Sequence, residues 1–448
     1  MSTTDQVNQK FKKRISVVGA GLAGSECALQ LAHKGFQVDL YEMRGEVMTA
    51  AHKTDQCAEI VCSNSFGSLS PISAPGQLKW EAQQLNSFIL KCAFEAQVPA
   101  GQALGLDRVV FAKAVTKLIE NHPNVQLIRK PITSLEEVPR PCVVATGPLT
   151  HEPLSQDLKK HFGNEFLYFF DAIAPIIDAD SINTEIAWRA DRYDKGTPDY
   201  LNCPLDKEQY YQFIEEIKSA RKVEAKEFEK EELSKTPYFE SCMPIEELVD
   251  RGDKTLSFGP MKPKGLKNPR TGREPYAVVQ LRQENKEATS YNMVGFQTKM
   301  AYGEQVRIFR TIPGLENAEF LKLGSIHRNL FLHSPKLLNK DLSSKHDPLL
   351  FFAGQITGVE GYFESTCIGL LVAQFLEQKI SDQSFSPPPR ASALGSLLEA
   401  ITSEKEHFQP TNINFGLFPG VPQKLPKDEK KALQIKSAQS AMESWVSR

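Results

Sequence analysis

Residues 14–42 run strand, glycine turn, helix, strand and end on an acid, an order that constrains the chain to a dinucleotide-binding βαβ unit. Ile15-Ser16-Val17-Val18 is a short apolar run, and Gly19-Ala20-Gly21-Leu22-Ala23-Gly24 then supplies G-x-G-x-x-G. Cys27, Ala28, Leu31 and Ala32 recur at helical spacing, Gly35 is a stop, and Phe36 to Tyr41 rebuilds a strand that closes on Glu42. Gly19 permits the tight turn, Gly21 lets backbone N–H groups approach a pyrophosphate, and Gly24 lets the helix pack closely on the sheet. Ala20, Leu22 and Ala23 complete the phosphate-facing turn at the positive end of the helix. Glu42 is placed to accept the ribose hydroxyls of an adenosine.

The pattern returns far downstream. Leu349 to Ala353 is a buried strand, Gly354 to Tyr362 is a glycine-rich turn, and Phe363 to Leu376 is an apolar helix. Gly354, Gln355, Gly358 and Val359 fall on the turn that would face a cofactor. Between the two units, Cys142-Val143-Val144-Ala145 runs into Thr146-Gly147-Pro148, a strand ending of the kind found where backbone meets flavin. The second turn lacks a following strand and acid, which disfavours two independent Rossmann domains. One nucleotide domain built in two parts favours FAD over NAD as the tightly held ligand. The expected fold is α/β: a Rossmann-type, glutathione-reductase-like FAD-binding domain with an inserted α+β domain. The FAD domain takes residues 14–185 and 341–448, and the insertion takes 186–340. Helices are expected at 76–99, 108–121 and 427–445, a charged helical stretch at 207–233, and loops around a short helix at 45–75.

A formal net charge of −2 gives no overall pull toward nucleic acid, so any RNA contact needs a local basic patch. Residues 251–274 form one: Arg251, Lys254, Lys262, Lys264, Lys267, Arg270 and Arg273 stand against Asp253 and Glu274, among Gly and Pro that suggest a flexible loop. No apolar run approaches the roughly 20 residues of a membrane helix. The basic residues before Ile15 lead into a glycine-punctuated βαβ unit rather than a signal sequence, so a reducing cytoplasm is expected. The eight cysteines include no C-x-x-C pair and signal neither a zinc site nor a dithiol. Two have polar surroundings, Cys62 in Val61-Cys62-Ser63-Asn64-Ser65 and Cys242 in Ser241-Cys242-Met243-Pro244-Ile245-Glu246. Pattern alone leaves each open between a structural and a catalytic role.

Further blocks add to these: Tyr193-Asp194-Lys195-Gly196, Phe258-Gly259-Pro260-Met261-Lys262-Pro263 and Val294-Gly295-Phe296-Gln297-Thr298. Together, over residues 14–418, they resemble the TrmFO family of folate- and FAD-dependent uridine methyltransferases, relatives of the GidA-type flavoproteins. The resemblance implies transfer of a one-carbon unit from methylenetetrahydrofolate to uridine C5 in the T-loop of tRNA, with FAD as carrier and reductant and NAD(P)H reducing it. It points to Cys242 as the nucleophile at C6 and Cys62 as the base that takes the C5 proton. Tyr276, Arg282, Gln283, Phe296, Gln297, His327 and Arg328 lie in family-like segments and are candidates to stack a base or the folate pterin. Three alternatives stay open: the same chemistry on ribosomal RNA, an FAD oxidoreductase of a small molecule, and a flavin-bearing RNA-binding protein without turnover.

Overall fold

The computed structural model describes residues 14–49, 51–163, 166–194, 197–223, 243–405, 408–421 and 425–447. β1 (Arg14–Val18) is central in a five-stranded sheet ordered β16-β7-β1-β2-β6. The others are β2 (Gln37–Glu42), β6 (Val125–Arg129), β7 (Cys142–Val144) and β16 (Leu350–Phe352), and every pairing is parallel. Ile15, Val17 and even Ser16 are buried, as a parallel strand covered on both faces requires. The chain lays β2 and β6 on one side of β1 and returns to lay β7 and β16 on the other. That reversal opens a crevice at the carboxyl ends of β1 and β7, the place where open α/β sheets bind ligands.

α1 (Leu22–His33) is buried from Leu22 to Ala32 because it lies between the sheet and α7 (Tyr362–Ile380). The stretch 76–99 is two helices rather than one, α2 (Ala74–Gln84) and α3 (Phe88–Glu95). Asn86 sits between them at φ 56°, and Glu26 of α1 accepts from Phe88 N, Ile89 N and the Ser87 hydroxyl, which starts the new helix. α4 (Arg108–Glu120) falls where expected, capped by Asp107.

Residues 45–75 differ from expectation. Among the described residues of 45–73 no helix occurs; instead β3 (Ser65–Ser68) pairs with β5 (Ala103–Leu106), which also pairs with β4 (Gln97–Val98). The serines explain it. Ser63, Ser65 and Ser68 hydroxyls each accept from the amide two residues on, satisfying the backbone in a non-helical form.

The second sheet is ordered β10-β11-β12-β13-β9-β14 and its pairings are antiparallel. Its strands are β9 (Ile176–Asp178), β10 (Trp188–Ala190), β11 (Tyr200–Leu205), β12 (Ala277–Gln283), β13 (Ser290–Met293) and β14 (Phe320–Lys322). It starts before residue 186, since β9 already belongs to it. An antiparallel ribbon of β8 (Phe166–Ala172) and β15 (Ile326–Leu332) joins the two halves of the molecule. α5 (Lys207–Ser219) covers the second sheet with Tyr210, Phe213, Ile214 and Ile217. It ends at Ser219, short of the expected 233; residues 224–242 lie outside the described residues. α8 (Ala393–Thr402) and α9 (Lys427–Val446) close the chain, and Ala438 and Met442 of α9 join the core of the first half.

Candidate active site

A cleft holding about 1200 Å³ of open space follows the crevice. Gly19, Gly21, Leu22, Ala23 and Glu42 line one part, and Gly354, Gln355, Tyr362 and Cys62 another. Gly19 has φ +99° and a side chain there would meet Ala145 O at 2.6 Å; a Cβ on Gly24 would lie 1.8 Å from Gly19 O. Gly21, by contrast, faces space with no atom within 4 Å of a Cβ position. It is also the N-cap of α1 with no side-chain cap, so the first helical amides remain open for a phosphate. This cradle fits a dinucleotide such as FAD.

Ala20 and Gly24 act through backbone rather than as wall. Ala20 N donates to Glu42 at 2.8 Å, which ties the turn to the end of β2. Glu42 also accepts from Arg44 N, Nε and Nη2 at 3.0, 2.9 and 3.2 Å. Burial opposes ionisation of Glu42, but Arg44 and the two amides outweigh it and hold the carboxyl below its ordinary range. Four bonds occupy its lone pairs, so a ribose hydroxyl must compete with Arg44. Gly358 and Val359 lie outside the cleft wall. A Cβ on Gly358 would strike the Phe408 ring at 2.5 Å, and Val359 is buried and bridged to Thr411. They shape the turn that carries Gly354 and Gln355.

Cys62 is half-buried in the cleft wall, on a loop held by four elements. Arg108 of α4 donates to Ile60 O at 3.0 Å while pairing with Glu284, and Lys322 of β14 donates to Val61 O at 3.2 Å. From β12, Arg282 donates to Asn64 Oδ1 at 2.8 Å and to the Ser63 hydroxyl at 2.9 Å, and Gln283 O accepts from Asn64 at 2.8 Å. From α7, the Tyr362 oxygen accepts from Val61 N, Cys62 N and Ser63 N, and lies 2.8 Å from Cys62 Sγ. Burial, then Arg108, pushes the Lys322 ammonium down to about 8. Sequence reasoning missed Arg44, Arg108, Lys322 and Tyr362. Tyr362 closed a motif that was read only for residues 354–359, and Lys322 has no local signal.

A family model described as Glucose inhibited division protein A matches residues 14–384. Methylenetetrahydrofolate–tRNA-(uracil-5-)-methyltransferase TrmFO of Bdellovibrio bacteriovorus is 69% identical over 97% of this chain and 98% of that one. The TrmFO of Natranaerobius thermophilus is 51% identical over 97% and 99%. The chain belongs to the TrmFO family. In fold it is similar to Aquifex aeolicus GidA, with TM-score 0.68 at 15% identity, over 97% of this chain and 76% of that one.

The motifs that carried the TrmFO resemblance take different places. Cys242 lies outside the described residues. The segment after it is anchored: Met243 and Ile245 are buried, Ile245 N donates to Gln297 O, and α6 (Ile245–Asp250) follows. Glu246 accepts from Lys299 N, Met300 N and the Thr298 hydroxyl. Phe296 is core, packed on Phe213 and Phe309, and Tyr276 packs on Tyr210 and Tyr211. Arg282 and Gln283 hold the Cys62 loop. His327 and Arg328 lie on β15, and their side chains are outside the described residues.

The basic segment is fastened rather than flexible. Met261, Leu266 and Asn268 are buried, Arg192 donates to the carbonyls of Lys262 and Lys264, and Arg270 donates to those of Ile186 and Thr184. Lys262, Lys264, Lys267 and Arg273 point outward from this frame. Among the described residues no helix is long and apolar enough to cross a membrane.

Proposed function

We propose that this protein methylates C5 of a uridine in the T-loop of tRNA, taking its one-carbon unit from methylenetetrahydrofolate, with FAD bound and NAD(P)H as reductant. Full-length relatedness to the TrmFO proteins supports the reaction class. The observation that carries it here is the sulfur of Cys62 in the wall of the same cleft as both glycine turns. Work on tRNA implies a cytoplasmic location.

The turn at Gly19–Gly24 and the open end of α1 would hold the FAD pyrophosphate, with Glu42 and Arg44 beside the adenosine and Gly354 and Gln355 beside the flavin. Bound FAD would supply one-carbon carriage and the hydride that side chains cannot. The protein's own work is on the uracil. A Cys242 thiolate adds to C6 and makes C5 nucleophilic. Once C5 carries its new carbon, the sulfur of Cys62 takes the C5 proton, and loss of the Cys242 sulfur from C6 restores the ring.

The test is mass-spectrometric measurement of 5-methyluridine formed in tRNA by the purified protein with methylenetetrahydrofolate and NAD(P)H. Cys62→Ala should retain bound flavin and lose turnover by about a hundredfold or more. Near-normal turnover in that variant removes Cys62 from the mechanism. RNA containing 5-fluorouridine should form a covalent adduct with the wild type and none with Cys242→Ala; an adduct in that variant assigns the nucleophile elsewhere.

A further inference from the structure

The peptide planes around Cys62 are turned by cations. Arg108 pulls Ile60 O and Lys322 pulls Val61 O, and in each peptide the N–H points opposite to the carbonyl. The amides of Val61 and Cys62 therefore face the other way, toward α7, where Tyr362 Oη receives them at 3.0 and 2.7 Å. Ser63 N adds a third at 3.3 Å. The two close donors take up the phenol oxygen's two lone pairs, and Ser63 N stands farther off. The phenol still has a proton to place, and among the described residues its remaining neighbour is Cys62 Sγ at 2.8 Å. Ring packing alone does not require this arrangement, because the contact of Tyr362 with Phe66 is at the rings, 6.2 Å between centroids.

We propose that Tyr362 is a positioning residue for Cys62, its oxygen clamped by three consecutive amides and its O–H aimed at the sulfur, so that the sulfur waits in the cleft wall as an acceptor of protons. The phenol supports the charged sulfur more than the protonated one, since a hydrogen bond to an ion is the stronger. Burial first, then the Cys62 charge, pushes the phenol well above its ordinary value, so the shared proton stays on oxygen. The chemistry at C5 then finds a base whose charged form is supported and whose direction is fixed. This role rests on the assignment of Cys62 to the reaction.

The experiment follows alkylation of Cys62 by iodoacetamide in the flavin-loaded protein, counted on the Cys62 peptide by mass spectrometry across pH. In Tyr362→Phe the half-maximal rate should move upward by about one pH unit, and the rate at neutral pH should fall about tenfold. With 3-fluorotyrosine at position 362, a stronger donor of nearly the same shape, the profile should move down. The fluorinated protein decides the matter alone if Tyr362→Phe does not fold. Unchanged profiles overturn the proposal. If Cys62 is essential for methylation while its alkylation ignores Tyr362, only this inference fails; if Cys62→Ala still methylates, the functional assignment fails instead.

Discussion

At the scale of single residues, Glu42 shows how a motif position can be right in place and incomplete in role. The acid that ends β2 was legible from its distance to Gly19; its partner Arg44, 3% exposed at the side chain, was not, because pairing is decided by folding. The ion pair makes a pH prediction. The carboxyl is lowered from 4.5 in the folded state, so its contribution is present above that pH and is lost as pH falls through the folded value. Thermal unfolding should therefore lose stability on acidification below about pH 4.5, and Glu42→Ala should flatten that slope. At neutral pH the substitution leaves Arg44 buried, with Glu59 as its other carboxylate at 3.5 Å, and should cost about 3 kcal/mol. A variant with wild-type stability at neutral pH would show that the pair is replaceable. The Cys62 motif teaches the same lesson. Its thiol was readable as polar-flanked, but Asn64 and Ser63 turn out to receive Arg282 from a strand more than 200 residues away, a contact that no local pattern encodes.

At the scale of elements, periodicity found what packing demands and missed what hydroxyls and caps decide. β1, α1, β2 and α4 were legible because apolar spacing and glycine stops coincide there. The break at Asn86 and the pairing of β3 were not, since both depend on side chains that satisfy backbone locally. The crossing of α1 and α7 offers a test in which two effects compete. Gly369→Ala gains up to about 1 kcal/mol of helix propensity. Its Cβ, however, would lie 2.2 Å from Ala23 O, and that atom is backbone and cannot swing aside. Overpacking of this kind costs about 1–3 kcal/mol or more, so destabilisation should win. As α7 shifts, Gly354 and Tyr362 shift with it, and bound flavin should fall. Gly303→Ala, with nothing within 4 Å of its Cβ, lies in the helix Tyr302–Phe309 and should be neutral or slightly stabilising. Chemical denaturation and flavin absorbance on both variants check the pair; a Gly369→Ala protein more stable than wild type would mean that the helices can part freely.

Across the whole molecule, two sheets of different character meet at the Cys62 loop, which Tyr362 grips from the first half and Arg282 from the second. The two-part nucleotide domain was legible because its glycine turns announce it twice. The extent of the inserted sheet was not, because β9 is a three-residue strand whose partners, β13 and β14, lie far downstream. We propose that the second half presents RNA to the loop, and the fastened basic segment supplies the surface. Lys262, Lys264, Lys267 and Arg273 reach outward from a frame held by Arg192 and Arg270, and among the described residues their charge is not spent on ion pairs. Replacing Lys262, Lys264 and Lys267 together by Gln should weaken tRNA binding and leave stability and flavin content near wild type. The slope of log affinity against log salt should fall by about one for each phosphate that is no longer neutralised. Replacing Arg270, which holds the frame, should instead lower the stability of this half. Binding measured across salt concentrations separates the two effects. A triple variant with an unchanged salt slope would place the RNA on another face, and the fastening of this segment would then serve the fold alone.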